Sequence, residues 1–166
     1  MAMKEAIRTD RLALRVLRRE DAPFVLEGLN DLSVARWLSV VPYPYAQTDF
    51  DQFFGHARPG EFWVIEEAGA FCGGVALGAG GKLGYWLLPR AHGRGIMTEA
   101  AGAVLAEHFA GGGGAVSSGY FEGNAPSAAV LRKLGFAEIS REMLFCRPLG
   151  QDRSHVSVRL EPPPKG

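Results

Sequence analysis

The chain has 166 residues, enough for one domain with a substantial core and no need of disulfide or metal staples. Lysine plus arginine and aspartate plus glutamate each number 18, so the net charge is zero, no overall field draws the protein to nucleic acid or to an anionic membrane, and any anion site must be local. The N-terminal Met-Ala-Met-Lys-Glu-Ala-Ile-Arg lacks an apolar run of signal length and no later stretch approaches the roughly 18 apolar residues of a membrane span, so the expected compartment is the cytoplasm.

In chain order, residues 11–17 alternate Leu12, Leu14 and Val16 with Arg11, Ala13 and Arg15, the period-two pattern of a half-buried strand. Residues 20–30 place Ala22, Val25, Leu26 and Leu29 at helical spacing, with Pro23 tolerated only in the first turn. A second helix is predicted where Thr48-Asp49-Phe50-Asp51 reads as a capping box and Phe50, Phe53, Phe54 and Ala57 follow at helical intervals. Three apolar segments at 62–65, 72–77 and 84–88 lie at hairpin distance and predict an antiparallel meander. Residues 96–110 read as a helix, stopped by four glycines from position 111, each costing about 1 kcal/mol relative to alanine inside a helix. A strand at 115–121 follows, then a short helix at 126–134 with Asn124 near its cap and Gly135 suited to the left-handed position after its end. Strands at 138–147 and 154–160 complete the order β-α-α-β-β-β-α-β-α-β-β, and the proline-rich tail at 162–166 is expected to fray.

The segment Arg90-Ala91-His92-Gly93-Arg94-Gly95 joins the third meander strand to the helix at 96–110. A strand that empties through a glycine turn into a helix leaves backbone N–H groups without partners, aimed with the positive end of the helix dipole at one spot, and that spot suits a phosphate. A dinucleotide fingerprint would need glycine where Thr98 stands, and a P-loop would need serine or threonine after Gly81-Lys82, where Leu83 stands. Taken alone, the two glycines are equally compatible with a merely tight connection. Cys72 and Cys146 sit in apolar surroundings and read as buried reduced thiols, and the histidines at 56, 92, 108 and 155 show no metal-ligand spacing.

The R-x-x-G-x-G spacing of residues 90–95, with Asn124, Ser127 and Leu134-Gly135-Phe136 downstream, resembles the GNAT acetyltransferase superfamily, within it the RimJ/RimL-like branch. The resemblance spans almost the whole chain from Thr9-Asp10-Arg11, and implies the GNAT fold, an α/β architecture with a mixed, mostly antiparallel, centrally splayed sheet. It implies acetyl-CoA as cofactor, its pantetheine arm along the backbone of Leu87 and Leu88 and its pyrophosphate on His92, Gly93, Arg94, Gly95, Ile96, Met97 and the hydroxyl of Thr98. Arg90, Arg94 and Lys133 are adjacent cations that either reach the phosphates or stay solvated. Ser127 stands where that branch places a group for the leaving thiolate, and Asn124 caps the helix and contacts the pantetheine arm. The tyrosine many relatives carry seven residues after that asparagine is Leu131 here.

The implied activity is transfer of acetyl to a primary amine, of a protein N-terminus or a small molecule, by direct attack in a ternary complex; a non-catalytic acyl-CoA-binding sensor or scaffold is the rival reading. The acceptor pocket is expected between the first two helices and the strand hairpins, shaped by Trp37, Tyr43, Tyr45 and Tyr85. Few acidic residues surround it, which disfavours a polycationic acceptor. Relatives carry a carboxylate late in the strand after Gly135-Phe136, but 144–149 holds none, so Glu138, Glu142, His155 or a water chain remain for the general base. Neither nucleic acid nor membrane is expected as partner, and the chain works as a monomer or a homodimer.

Overall fold

The alternation of Leu12 and Leu14 does build a strand, but a shorter one than the pattern suggests. In the computed structural model, which describes residues 3–165, it runs as β2 (Leu12–Arg15), and a two-residue strand β1 (Ile7–Arg8) precedes it. Helix α1 (Ala22–Leu29) starts with Pro23 in its first turn, and Asp21 just before it is buried in a two-pronged ion pair with Arg15 at 2.8 and 2.9 Å. A one-turn helix α2 (Leu32–Ala35) follows, capped by the Asp31 carboxylate, which accepts the Ser33 N–H at 2.9 Å. It was not expected, because four residues carry too little periodicity to register. Helix α3 (Gln47–His56) is capped at Ala46, two residues before the expected Thr48; Asp49, not Asp51, reaches back to accept the Ala46 N–H at 2.7 Å.

The meander forms as β3 (Phe62–Glu67), β4 (Ala70–Leu77) and β5 (Leu83–Leu87), giving a five-stranded antiparallel sheet in the order β1-β2-β3-β4-β5. Both faces of this sheet are covered, which is why its strands read as apolar runs and not as alternation. On one face Trp63, Ile65, Val75 and Leu83 pack against α4 (Ile96–Ala110) through Met97, Ala100, Ala101 and Val104. On the other, Val64 and Phe71 meet Val25, Leu29, Tyr45 and Phe50 of α1, α3 and the segment between them. Gly28 lets α1 close on β5, since a Cβ there would lie 2.4 Å from the Trp86 ring.

A second sheet holds β6 (Val116–Phe121), β8 (Gln151–Leu160) and β7 (Ala137–Cys146), in the order β6-β8-β7. Val156 and Val158 face the core as their alternation predicts, whereas the edge strand β7 leaves Ile139, Met143 and Phe145 exposed. Helix α5 (Ala125–Lys133) links β6 to β7, and Gly135, at φ +98°, takes the left-handed position one residue beyond the Leu134 cap. Cys72 and Cys146 are both buried and free. No helix among the described residues is long and apolar enough to cross a membrane.

Candidate active site

The two sheets meet at one point. β5 and β6 run parallel where Lys82 bridges Ser117, and the Ser117 N–H donates to the Gly81 carbonyl at 2.8 Å. One residue further the buried Ser118 hydroxyl donates to the Leu83 carbonyl, also at 2.8 Å. Beyond that tie the strands diverge, and a cleft of 750 Å³ opens between their C-terminal halves, the position where open α/β sheets receive ligands. Strand alternation divides its walls. Leu83, Tyr85 and Leu87 of β5 and Ser118 and Tyr120 of β6 face α4 and α5; Gly84, Trp86, Gly119 and Phe121, with His155 from β8, face α1 and α2. The cleft therefore passes through the split from one face of the sheets to the other.

On the α4 side its floor is the glycine turn. Gly93 and Gly95 sit at φ +71° and +72°, in the left-handed region where a side chain would be strained. Among the described residues no internal acceptor takes the backbone N–H groups of residues 93–98, which lead into α4 and, Arg94 excepted, line the cleft. Residues remote in sequence hold this turn. Arg11 donates from Nη2 to the Arg94 carbonyl at 2.6 Å and from Nε to Glu99 at 3.0 Å, and the Thr9 hydroxyl also donates to Glu99. The Thr9 hydroxyl first, then Arg11, hold the Glu99 carboxyl below the usual carboxylate range.

His92, Gly93, Gly95, Ile96, Met97, Thr98 and Lys133 line the cleft as expected. Arg90 and Arg94 do not: Arg90 pairs with Glu27 at 3.1 Å and Arg94 with Glu67. Leu88 is also outside, since its side chain is fully buried and its N–H donates to the Cys72 carbonyl of β4 at 2.8 Å. By alternation the N–H and carbonyl of Leu87 then point away from β4 toward the split, and the Leu87 carbonyl does meet His92 Nε2 there at 2.9 Å. Of the two leucines, Leu87 alone offers its backbone to the cleft.

Asn124 caps α5, its Oδ1 accepting the Ser127 N–H at 3.4 Å, and this places the Ser127 hydroxyl 2.7 Å from the Tyr85 hydroxyl. Tyr85 was expected in the acceptor pocket; strand parity puts it instead on the α4 side, with Ser127. Burial pushes its phenol up to about 12, so it keeps its proton at neutral pH. Two hydroxyls carry two protons and their mutual hydrogen bond uses one, which leaves one O–H for a third atom in the cleft.

On the α2 side Trp37 lines the cleft, with the guanidinium of Arg36 at 4.8 Å and that of Arg153 at 4.9 Å from its ring. Arg153 also covers Phe121 and donates to the Arg36 carbonyl at 2.6 Å, which clamps the segment after α2 onto the second sheet. The other two expected acceptor residues lie elsewhere. Tyr43 is 40% exposed and outside the cleft. Tyr45 is buried in the α1/α3 core, where Asn30 pairs with its backbone N–H and carbonyl and burial pushes its phenol up to about 12. Glu138 and Glu142 are exposed and do not line the cleft; His155 does. Lys82, Gly119 and Tyr120 line it unforeseen, because no local pattern says which strand face will meet a split between sheets.

A family model described as an acetyltransferase (GNAT) domain matches residues 11–137. Among solved structures, a Bacillus anthracis acetyltransferase of the GNAT family superimposes with TM-score 0.81 at 18% identity, covering 94% of this chain and 98% of that one. RimL, a ribosomal L7/L12 alpha-N-protein acetyltransferase in complex with coenzyme A, gives 0.79 at 19% identity over 95% and 98%. RimJ of Mycobacterium smegmatis, in complex with a CoA disulfide, gives 0.73 at 25% identity over 90% and 81%. No curated protein sequence matches the chain.

Proposed function

The chain belongs to the GNAT acetyltransferase domain family and is an acetyl-CoA-dependent N-acetyltransferase, and from that premise we propose how its residues divide the work. The cleft fits the acyl donor. A Cβ at Gly93 would project into open space at the turn and one at Gly95 would come 3.4 Å from Arg11 Nη2, so the two glycines keep clear the volume that a pyrophosphate takes. The N–H groups of residues 93–98 hold that pyrophosphate, with Lys133 and His92 at its border and Thr98 adding its hydroxyl. The Leu87 backbone pairs with the pantetheine arm. When bound, acetyl-CoA supplies an acetyl group on a thioester.

Ser127 donates its free O–H to the sulfur as negative charge develops there, and Tyr85 orients Ser127 by holding its oxygen. Asn124 acts through the helix cap that positions both. The acceptor, a primary amine, enters from the α2 side past Trp37, which brings nitrogen and thioester together from opposite faces of the split and makes the attack effectively intramolecular. The pair of hydroxyls at 2.7 Å, aimed into the split, is the observation that carries this assignment. The ribosomal-protein acceptor in RimL's name makes a protein N-terminal amine the first acceptor to test; a small-molecule amine is the second.

Thiol release from acetyl-CoA, measured against peptides of varied N-terminus and a set of small amines, tests the proposal. Turnover with at least one amine, lowered strongly in Ser127→Ala, is expected. Tight CoA binding with no thiol release from any amine would overturn it in favour of a binding module.

A further inference from the structure

We propose that His155 is the general base of this transfer, accepting a proton from the acceptor nitrogen on the α2 side of the cleft; the proposal rests on the acetyl-transfer reading above. No aspartate or glutamate lines the cleft among the described residues. The titratable side chains that do are Lys82, Tyr85, His92, Tyr120, Lys133 and His155. Lysine ammonium groups have no lone pair to accept a proton. Tyr85 is engaged with Ser127, and Tyr120 shares its face of the sheet; His92 sits at the glycine turn with Nε2 on the Leu87 carbonyl. His155 alone is an acceptor-capable group on the face from which the amine comes.

The second sheet makes room for that imidazole. A Cβ at Gly119 would lie 2.2 Å from His155 Cε1 and 2.7 Å from Nε2, so the ring lies over the gap left by a glycine in β6. It stands edge-on to Phe121, centroids 5.3 Å apart, and among the described residues no hydrogen bond engages either ring nitrogen. The charged groups around it are Lys82 at the start of β5, Glu142 directly opposite on β7, and Arg153 two residues before it on the same face of β8. Burial first and the Lys82 charge second hold its basicity below the ordinary histidine value, outweighing Glu142, so the ring is neutral and able to accept a proton at pH 7.

An ammonium acceptor must lose two protons in the reaction. The first passes to His155, freeing the nitrogen lone pair, and on to solvent. The nitrogen then forms a C–N bond to the acetyl carbon, the C–S bond breaks with its electron pair on sulfur, and the second nitrogen proton ends, by way of the Ser127 hydroxyl, on that sulfur.

The test combines pH–rate profiles with NMR titration of His155 in the ligand-free protein. The wild-type kcat/KM should show an acid limb whose midpoint matches the NMR titration of the His155 ring, below about 6.5. His155→Gln should lose about 10²-fold or more in kcat and lose that limb, while its CoA affinity by calorimetry stays at the wild-type value; added imidazole should restore part of the rate in His155→Ala. Gly119→Ala, which displaces the ring without removing it, should lower kcat in the same direction. A folded His155→Gln within about threefold of wild type with its acid limb intact would overturn the assignment while leaving the transferase reading standing. Should neither His155 variant fold, a wild-type limb that departs from the NMR titration overturns it alone. Wild-type protein that releases no thiol with any amine would overturn the transferase reading and this assignment together.

Discussion

The two sides of the cleft are built from different materials. The α4 side is made of backbone: a glycine turn, the first turn of a helix and the Leu87 main chain, locked by the Arg11, Glu99 and Thr9 contacts. The α2 side is made of side chains, Trp37, Phe121 and His155, drawn from three distant segments and clamped by Arg153. Backbone donors lose little entropy on ordering and suit a constant ligand, whereas side chains can vary without disturbing the fold and suit the variable one. On the proposed division of the cleft, the donor site depends on conformation and the acceptor site on residue identity.

That contrast can be broken first at the turn. Gly95→Val forces a β-branched residue into φ +72° and should abolish CoA binding, a loss of about 10²-fold or more by calorimetry, in a protein whose circular dichroism is unchanged. Unaltered affinity would mean that the turn does not hold the phosphates. Next comes Ser127→Ala, expected to lower kcat by about 10²-fold with the KM for acetyl-CoA nearly constant, since the role proposed for the hydroxyl serves developing charge and not ground-state binding. A loss below about threefold would reduce Ser127 to a helix-cap residue. Tyr85→Phe keeps the ring and removes the hydroxyl that orients Ser127, so a decrease of about tenfold in kcat is expected. Because the Tyr85 phenol is pushed up to about 12, no basic limb from it should be seen below pH 10 or so, and one that vanished in Tyr85→Phe would contradict its assignment as a protonated hydroxyl that holds Ser127.

Two smaller effects sharpen the comparison. Arg11→Met frees the Arg94 carbonyl and loosens the turn from outside the cleft, so CoA should bind about three- to tenfold more weakly while kcat with saturating donor changes little. A fall in kcat alone would show that Arg11 serves the chemistry and not the turn. Glu99 is held below the usual carboxylate range, so its contacts stabilise the fold at neutral pH and that contribution is lost as pH falls below its ordinary value near 4.5. Glu99→Gln should lower Tm by about 2 °C at pH 7, and the difference should shrink as pH falls from 4.5 through the lowered pKa of the folded state.

Much of the donor side was legible in the sequence for a local reason. Gly93 and Gly95 shape a turn whose geometry depends on its own φ angles, and Asn124 and Ser127 are three residues apart in one helical turn, so contiguous spacing already encodes the contact. The 96–110 helix was readable to the residue because glycines bound it at both ends. Charge was less legible than spacing: Arg90 and Arg94 stand beside the glycine turn in sequence, yet outside the cleft they pair with Glu27 and Glu67, 63 and 27 residues away. The α2 side was less legible: Trp37 lines the cleft, but Tyr43 and Tyr45 resemble it in type and sit outside the cleft, on the surface and in the core respectively.

The amino-acid sequence by itself determined the longer strands and helices, the glycine turn, the cap of α5 and membership of the family, since each depends on residues that are neighbours along the chain. The tertiary structure alone decided that β5 and β6 part after the Ser118–Leu83 tie, that Tyr85 joins Ser127 and not Trp37, and that His155 lines the α2 side of the cleft. Those outcomes turn on which face of each strand the helices cover and where two sheets cease to pair, a packing result of the whole chain that no window of sequence contains.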